Sequence, residues 1–208
     1  METKCQIREI FVKKVSVIVI GSVIAAYGIT LAFGAGYGGA TLAVLWEGVA
    51  ETFHLSIGMA SFVIAVWMLL FVLFFDRKQI QIGTVLYQVI YSYFVNVFVR
   101  LHIYSEQRWI NFLLMITGII IFAFGTALYS ATNFGRGAYE AVTFALVERK
   151  HWQVKWVRMT QDLLVVGIGY FLGGEIGICT VCTIIMSGFF IQKSLKVIRA
   201  FEKHIQKK

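Results

Sequence analysis

Charged residues along this chain are gathered into a few short clusters, and the stretches between them are long and apolar. Residues 15–46 carry no charge at all, and Val15 to Phe33 alone makes a helix long enough to cross a hydrocarbon core of roughly 30 Å. Leu55 to Phe75 is a second such run, closed by Asp76, Arg77 and Lys78. Residues 79–99 form a third, closed by Arg100. Trp109 to Tyr129 is the fourth, with Trp109 where tryptophan gathers at the membrane–water interface. A fifth runs from Trp156 to Leu172 and carries Arg158 and Asp162, and a sixth runs from Ile176 to Ile191. Two further segments, 38–53 and 137–149, are helical by composition but short, and they contain Glu47, Glu51, Glu140 and Glu148. Each follows a glycine-rich bend, Gly34 to Gly39 in one case and Asn133 to Gly137 in the other. The chain has 19 Gly and no Pro, so glycine must supply the helix breaks.

The two halves repeat this order. A shift of 97 residues places Gly28 on Gly125, Leu31 on Leu128, Tyr37 on Phe134, Gly38 on Gly135, Glu51 on Glu148 and Ile57 on Val154. With a one-residue deletion the shift becomes 96, and Ile82-Gly-Thr-Val85 falls on Ile178-Cys-Thr-Val181. Repeat one covers about residues 15–100 and repeat two about 109–198, within a single membrane domain over 1–208. If the short helices do not cross, each half has three spans, and the second half is inserted upside down. That is the inverted repeat of many transporters, with broken helices at the repeat interface. If they do cross, each half has four spans and the repeats are parallel. Counting Lys and Arg in the outer loops barely separates the two models. Glutamate-bearing segments of this length make poor lipid-facing spans. The expected fold is therefore an all-α integral membrane protein of six transmembrane helices plus two short broken or re-entrant helices, arranged as a two-fold inverted repeat.

Composition agrees with a membrane class and removes others. Hydrophobic residues make up 59% of the chain and charged residues 14%, against about 25% charged in a soluble domain. The net charge of +8 would suggest a nucleic-acid partner in a soluble protein, but four of the basic residues lie within 1–14 and six within 193–208. That distribution follows the positive-inside rule and puts both termini in the cytoplasm, with no nucleic acid implied. Residues 193–208 read as a basic amphipathic helix able to meet a partner or anionic lipid. Three cysteines cannot frame a disulfide fold, and Cys179-Thr-Val-Cys182 falls opposite Gly83 and Leu86 in the repeat, positions of packing. The four histidines are scattered at loop ends, and no metal site, cofactor fingerprint or nucleophile motif is present. No cofactor, no metal and no enzymatic activity are expected.

At GRGAYEAVTFALV (135–147), GEIGICTV (174–181) and QIQIGTVL (79–86) the chain resembles the YczE/YyaS/YitT type of multi-pass bacterial membrane protein. The first block is similar to that family's G-x-G-P-W-D-A-L, and the other two to its G-I-G-T helix start. Ala138-Tyr139 replaces the usual Pro-Trp, Glu140 replaces Asp, and Ile178-Cys-Thr180 departs from G-I-G-T. The resemblance implies a multi-pass plasma-membrane protein of transporter-like build, some relatives being linked to control of secondary-metabolite production. It implies no substrate.

The candidate site follows from the breaks and the few internal charges. Glu140 and Arg136 stand at the start of the second short helix, where a broken helix exposes N–H groups to an anion. An i,i+4 ion pair at the interface accounts for the same two residues. Asp162 and Arg158 lie one turn apart on the fifth span, and either neutralise each other or carry a proton or ion. Glu47 is a candidate buried acid; Glu51 and Glu148 mark helix ends. Gln88, Asn96 and Asn133 either line a polar path or hold helices together. The full candidate set is Gly38, Gly39, Thr41, Glu47, Asn133, Gly135, Arg136, Gly137, Glu140, Arg158 and Asp162. The expected function is a secondary transporter of a small, charged solute in the bacterial plasma membrane, with its site between the short helices. The alternative is a non-transporting membrane regulator or scaffold acting through its basic C-terminal helix. Expected partners are the lipid bilayer and a small molecule or ion, with a homo-oligomer compatible with either reading.

Overall fold

The computed structural model describes residues 2–205 except 76, 102, 103, 133 and 153, and describes side chains outside 2–8, 10, 78, 148, 154, 155 and 201–205. Its helices are α1 (Glu2–Phe33), α2 (Thr41–Phe53), α3 (Ile57–Phe75), α4 (Ile82–Phe98), α5 (Arg108–Ala131), α6 (Ala138–Lys150), α7 (Val154–Phe171) and α8 (Ile178–Ile205), with a single 3-10 turn at Arg77–Gln79. No strand occurs among the described residues. Each apolar run of the sequence is one helix, and each short glutamate-bearing segment is a separate 13-residue helix, α2 or α6.

Among the described residues four helical segments are long and apolar enough to cross a membrane: Phe11–Phe33, Ile57–Phe75, Arg108–Ala131 and Ile178–Ala200. The other two expected spans fall short of that standard. α4 has only 17 residues, about 26 Å of helix, and α7 carries Lys155, Arg158 and Asp162 in its 18. The outer surface is apolar: Phe171 is 89% exposed, Phe74 85%, Trp67 70% and Ile185 70%. So many large apolar side chains exposed on the long helices suit contact with lipid rather than water. The molecule is a membrane protein.

Its centre is the pair α1 and α5, which pack closely along their length. They run antiparallel: Gly21 meets Gly125 and Tyr129, while Gly28 meets Gly118 and Phe122. A Cβ placed on Gly118 would lie 2.6 Å from the Ala32 nitrogen, and one on Gly125 would crowd the Ala25 nitrogen. Small residues allow this approach, and dispersion across two nearly touching backbones holds helices together where lipid offers no hydrophobic drive. Against this pair pack α4 on α1 and α8 on α5. The short helices cross over, α2 onto α7 and α6 onto α3.

Each glycine bend clamps the start of a distant helix. Gly38 has φ +83° and lies on Gly177; the N–H of Cys179 donates to Tyr37 O at 3.0 Å, and the Thr180 hydroxyl donates to Gly39 O. Gly135 has φ +122° and sits on Thr84, while Gly83 packs under Phe134 O. At both positive-φ positions an L side chain would be strained and would also collide. α4 and α8 begin alike, with the hydroxyl of Thr84 accepting from Gln81 N (3.3 Å) and that of Thr180 from Gly177 N (3.1 Å).

Two of the scattered histidines have a structural place. His54 and His151 end α2 and α6 in the left-handed region, at φ 53° and 55°. Glycine is the usual residue there. Replacing either with glycine relieves about 1 kcal/mol of conformational cost, partly offset by the greater freedom of an unfolded glycine. His54→Gly and His151→Gly should each leave the thermal midpoint unchanged or raise it by a few degrees in detergent. A marked fall would show that the imidazoles make contacts the fold depends on.

Candidate functional site

The N-terminal ends of the two short helices face one cavity. Its volume is about 40 Å³, and its wall takes residues from all eight helices. Ala40, Thr41 and Leu42 contribute from the start of α2, and Ala138, Tyr139 and Glu140 from the start of α6. Neither helix has a side-chain N-cap, so their first-turn N–H groups lack the usual satisfaction. About 10–15 Å³ holds one water; this space fits two or three waters, or a solute of a few heavy atoms.

Arg158 on α7 organises the charges. Its Nη1 lies 3.6 Å from Glu140 Oε1 and its Nε 3.7 Å from Asp162 Oδ2, so one guanidinium serves two carboxylates. The same group lies over the Tyr139 ring, 4.3 Å from its centroid, a cation–π contact. The Tyr129 hydroxyl accepts the Gly137 N–H at 3.0 Å and donates to Glu140 Oε2 at 2.9 Å. Asp162, 2% exposed, accepts the Tyr139 hydroxyl on Oδ1. Behind Tyr139, Gln161 donates to its carbonyl (3.1 Å) and accepts from Thr143 (2.6 Å). On the opposite wall, Gln88 donates to Ser92 (3.0 Å) and Ser61 donates to Ser92 (2.9 Å), tying α4 to α3.

The structure thus brings together Thr41, Glu140, Arg158 and Asp162. Gly38, Gly39, Gly135 and Gly137 frame the site as bends and do not touch the charges, apart from Gly137, whose N–H holds Tyr129. Glu47 stands apart. It is half-buried at the α7–α8 turn, where its Oε2 accepts the Glu175 N–H at 2.7 Å. The guanidinium paired with Glu140 is that of Arg158, eighteen residues on, while Arg136 lies over Phe144 at 3.6 Å. Asn133 lies outside the described residues, as does the side chain of Glu148. Asn96 packs against Gly58, a helix contact. Cys179 is buried with its thiol toward Ala32 O, and no metal-ligand cluster occurs among the described residues.

Sequence reasoning passed over the aromatic wall of Trp46, Tyr87, Tyr91 and Tyr139, and Tyr129 stacked behind Tyr87. Tyr87, Tyr91 and Tyr129 form one stack, with centroids 5.2 and 3.8 Å apart. The available signal was Tyr87 and Tyr91 at i,i+4 spacing in an apolar helix beside Gln88, which puts three polar groups on one face.

Residues 12–196 match the family described as "Family of unknown function (DUF6198)". The chain belongs to this family. It is 24% identical over 176 residues to a Bacillus subtilis (strain 168) protein named "Uncharacterized membrane protein YczE", covering 84% of this chain and 82% of that one. A Haemophilus influenzae protein named "Uncharacterized protein" is 26% identical over 191 residues, 89% of this chain and 85% of that one. No solved structure matches the chain. The YczE resemblance read from the glycine-punctuated motifs is upheld by the family match and by this relative.

Proposed function

We propose that this member of the family is a secondary carrier for a small charged solute, not an enzyme, and that the cavity between the starts of α2 and α6 is its site. The observation that carries the reading is that cavity, closed on by every helix and bearing one arginine shared by two acids, Asp162 buried and Glu140 half-buried. Ionisable groups held at such depth serve ion or solute pathways by default, and helix starts at a central cavity are where carriers hold their cargo. The antiparallel α1 and α5, and the bends that grip the starts of α8 and α4 in matching fashion, favour six spans and an inverted repeat over a parallel one. In this reading the chain lies in the bacterial plasma membrane with both ends in the cytoplasm.

The topology is tested by single cysteines at Arg77 and Glu106, both exposed, in intact cells with an impermeant maleimide. Labelling at Glu106→Cys and not at Arg77→Cys is expected; the reverse would support eight spans and remove the inverted repeat. Carriage is tested in proteoliposomes, which should exchange a small charged solute across the membrane where protein-free vesicles do not.

One observation favours the regulator reading. α8 has 28 residues, about 42 Å, and extends beyond a core of roughly 30 Å with Lys193, Lys196 and Arg199 exposed. Lys193→Gln, Lys196→Gln and Arg199→Gln made together separate the two: a carrier keeps its exchange, and a recruiter loses its partner.

A further inference from the structure

The two carboxylates at the cavity each accept a tyrosine hydroxyl and face Arg158, while two buried donors have no acceptor within hydrogen-bond reach. Both oxygens of Glu140 have partners, Tyr129 and Arg158, and both oxygens of Asp162 face Tyr139 and Arg158. On the donor side, Trp46 lines the cavity at 2% exposure, and its indole N–H meets no acceptor. Arg158 Nε is buried with no hydrogen-bond acceptor, its approach to Asp162 being too long for one. The two uncapped helix starts add further N–H groups, and each presents about half a positive charge. Buried polar groups in native proteins are satisfied almost without exception, so what this site lacks is an acceptor.

From this we infer that the solute is a small anion with planar acceptor oxygens, a carboxylate of formate or acetate size, and the inference rests on the carrier site proposed above. A cation would be repelled by Arg158 and by the two helix starts and would leave the Trp46 indole N–H without an acceptor. Water alone would satisfy one indole N–H but would leave a buried guanidinium strung loosely between two acids. A carboxylate fits the fork of Arg158, for which bidentate pairing is the strongest geometry. Trp46 and the two helix starts line the same cavity as Arg158. Sulfate would bring a second negative charge against Glu140. Formally, Glu140 and Asp162 are balanced by Arg158 and the two helix starts. An entering anion therefore takes Glu140's place on Arg158 and is opposed by the Glu140 charge.

That competition gives the test. The purified full chain in detergent is titrated with sodium formate and sodium acetate, against sodium chloride, sodium sulfate and methylammonium chloride at equal ionic strength. Thermal midpoint and tryptophan fluorescence are followed. The carboxylates should raise the midpoint saturably, and sulfate and methylammonium should not. Glu140→Gln should bind the carboxylate about tenfold more tightly, because a unit charge a few ångströms away is removed. Trp46→Phe should bind it about tenfold more weakly through loss of one hydrogen bond to an anion. If Trp46→Phe does not fold, the comparison of wild type with Glu140→Gln decides alone. A response to methylammonium that Glu140→Gln abolishes overturns the anion assignment and leaves the cavity as the solute site. A response to none of the salts, unchanged in Glu140→Gln, also overturns it, and the proteoliposome exchange then judges the carrier reading separately.

Discussion

Gly28→Leu should leave little folded protein. A side chain there would begin inside the van der Waals envelope of the Phe122 backbone nitrogen, with Gly118 O and Ile121 C each 2.8 Å from its first carbon. These are backbone atoms of a helix interior, and no rotamer change moves them. α1 and α5 would have to separate, taking with them the contacts of Gly21, Ala25 and Ala32 along the same seam. Overpacking of cores commonly costs about 1–3 kcal/mol, and a clash between two helix backbones belongs at or above the upper end. Gly188→Leu is the control: it lies on α8, where an added Cβ meets nothing within 4 Å. Size exclusion in mild detergent and thermal unfolding should show Gly188→Leu near wild type and Gly28→Leu aggregated or strongly destabilised. Equal behaviour of the two would mean that α1 and α5 do not pack as described.

The helices were legible because each is bounded by glycines or charges, and nearly every expected end lies within a few residues of the observed one. The exceptions are α1, which begins at Glu2 ahead of the apolar run that starts at Val15, and α8, which continues to Ile205 past the run that stops near Ile191, because lysines and arginines on a continuous helix do not break it. Gly38 and Gly135 were readable as bends, since an isolated glycine cluster in an apolar chain without proline has few other uses. The charge partners were not readable. Arg136 is four residues from Glu140, the spacing of a helical ion pair, yet it stands before α6 begins at Ala138 and turns over Phe144. The partner, Arg158, comes from another helix through the packing of α6 on α7, which local spacing cannot supply. Glu47 was misplaced for a similar reason. Helical spacing gave its face, but the Glu175 N–H that holds it arrives from a turn 128 residues away. The roles of Tyr129 and Tyr139 were not readable either, because their hydroxyl partners come from another helix or a bend, which local spacing does not show.

Combining Glu140→Gln with Asp162→Asn should abolish solute exchange in proteoliposomes, because Arg158 then holds an anion with no acid to compete for its release, and a third substitution separates this from a loss of structure. The double variant leaves Arg158 as a buried cation without a counter-charge. Breaking a buried pair from one side costs about 3–5 kcal/mol, so loss of activity alone would not distinguish a solute site from a structural tie. Replacing a whole buried ion cluster by uncharged groups of similar size is, by contrast, often neutral or stabilising. Adding Arg158→Met to the double variant should therefore return the thermal midpoint to near the wild-type value. The introduced thioether chain would still cover Tyr139, and the amides at 140 and 162 would still meet Tyr129 and Tyr139. Exchange should stay absent in this triple variant, because nothing charged remains to bind or release a solute at the cavity. Recovery of exchange together with stability would show that the triad only holds α6 to α7, and that solute passes elsewhere. Recovery of stability without exchange separates the two roles, since every helix contact but the charges is then in place.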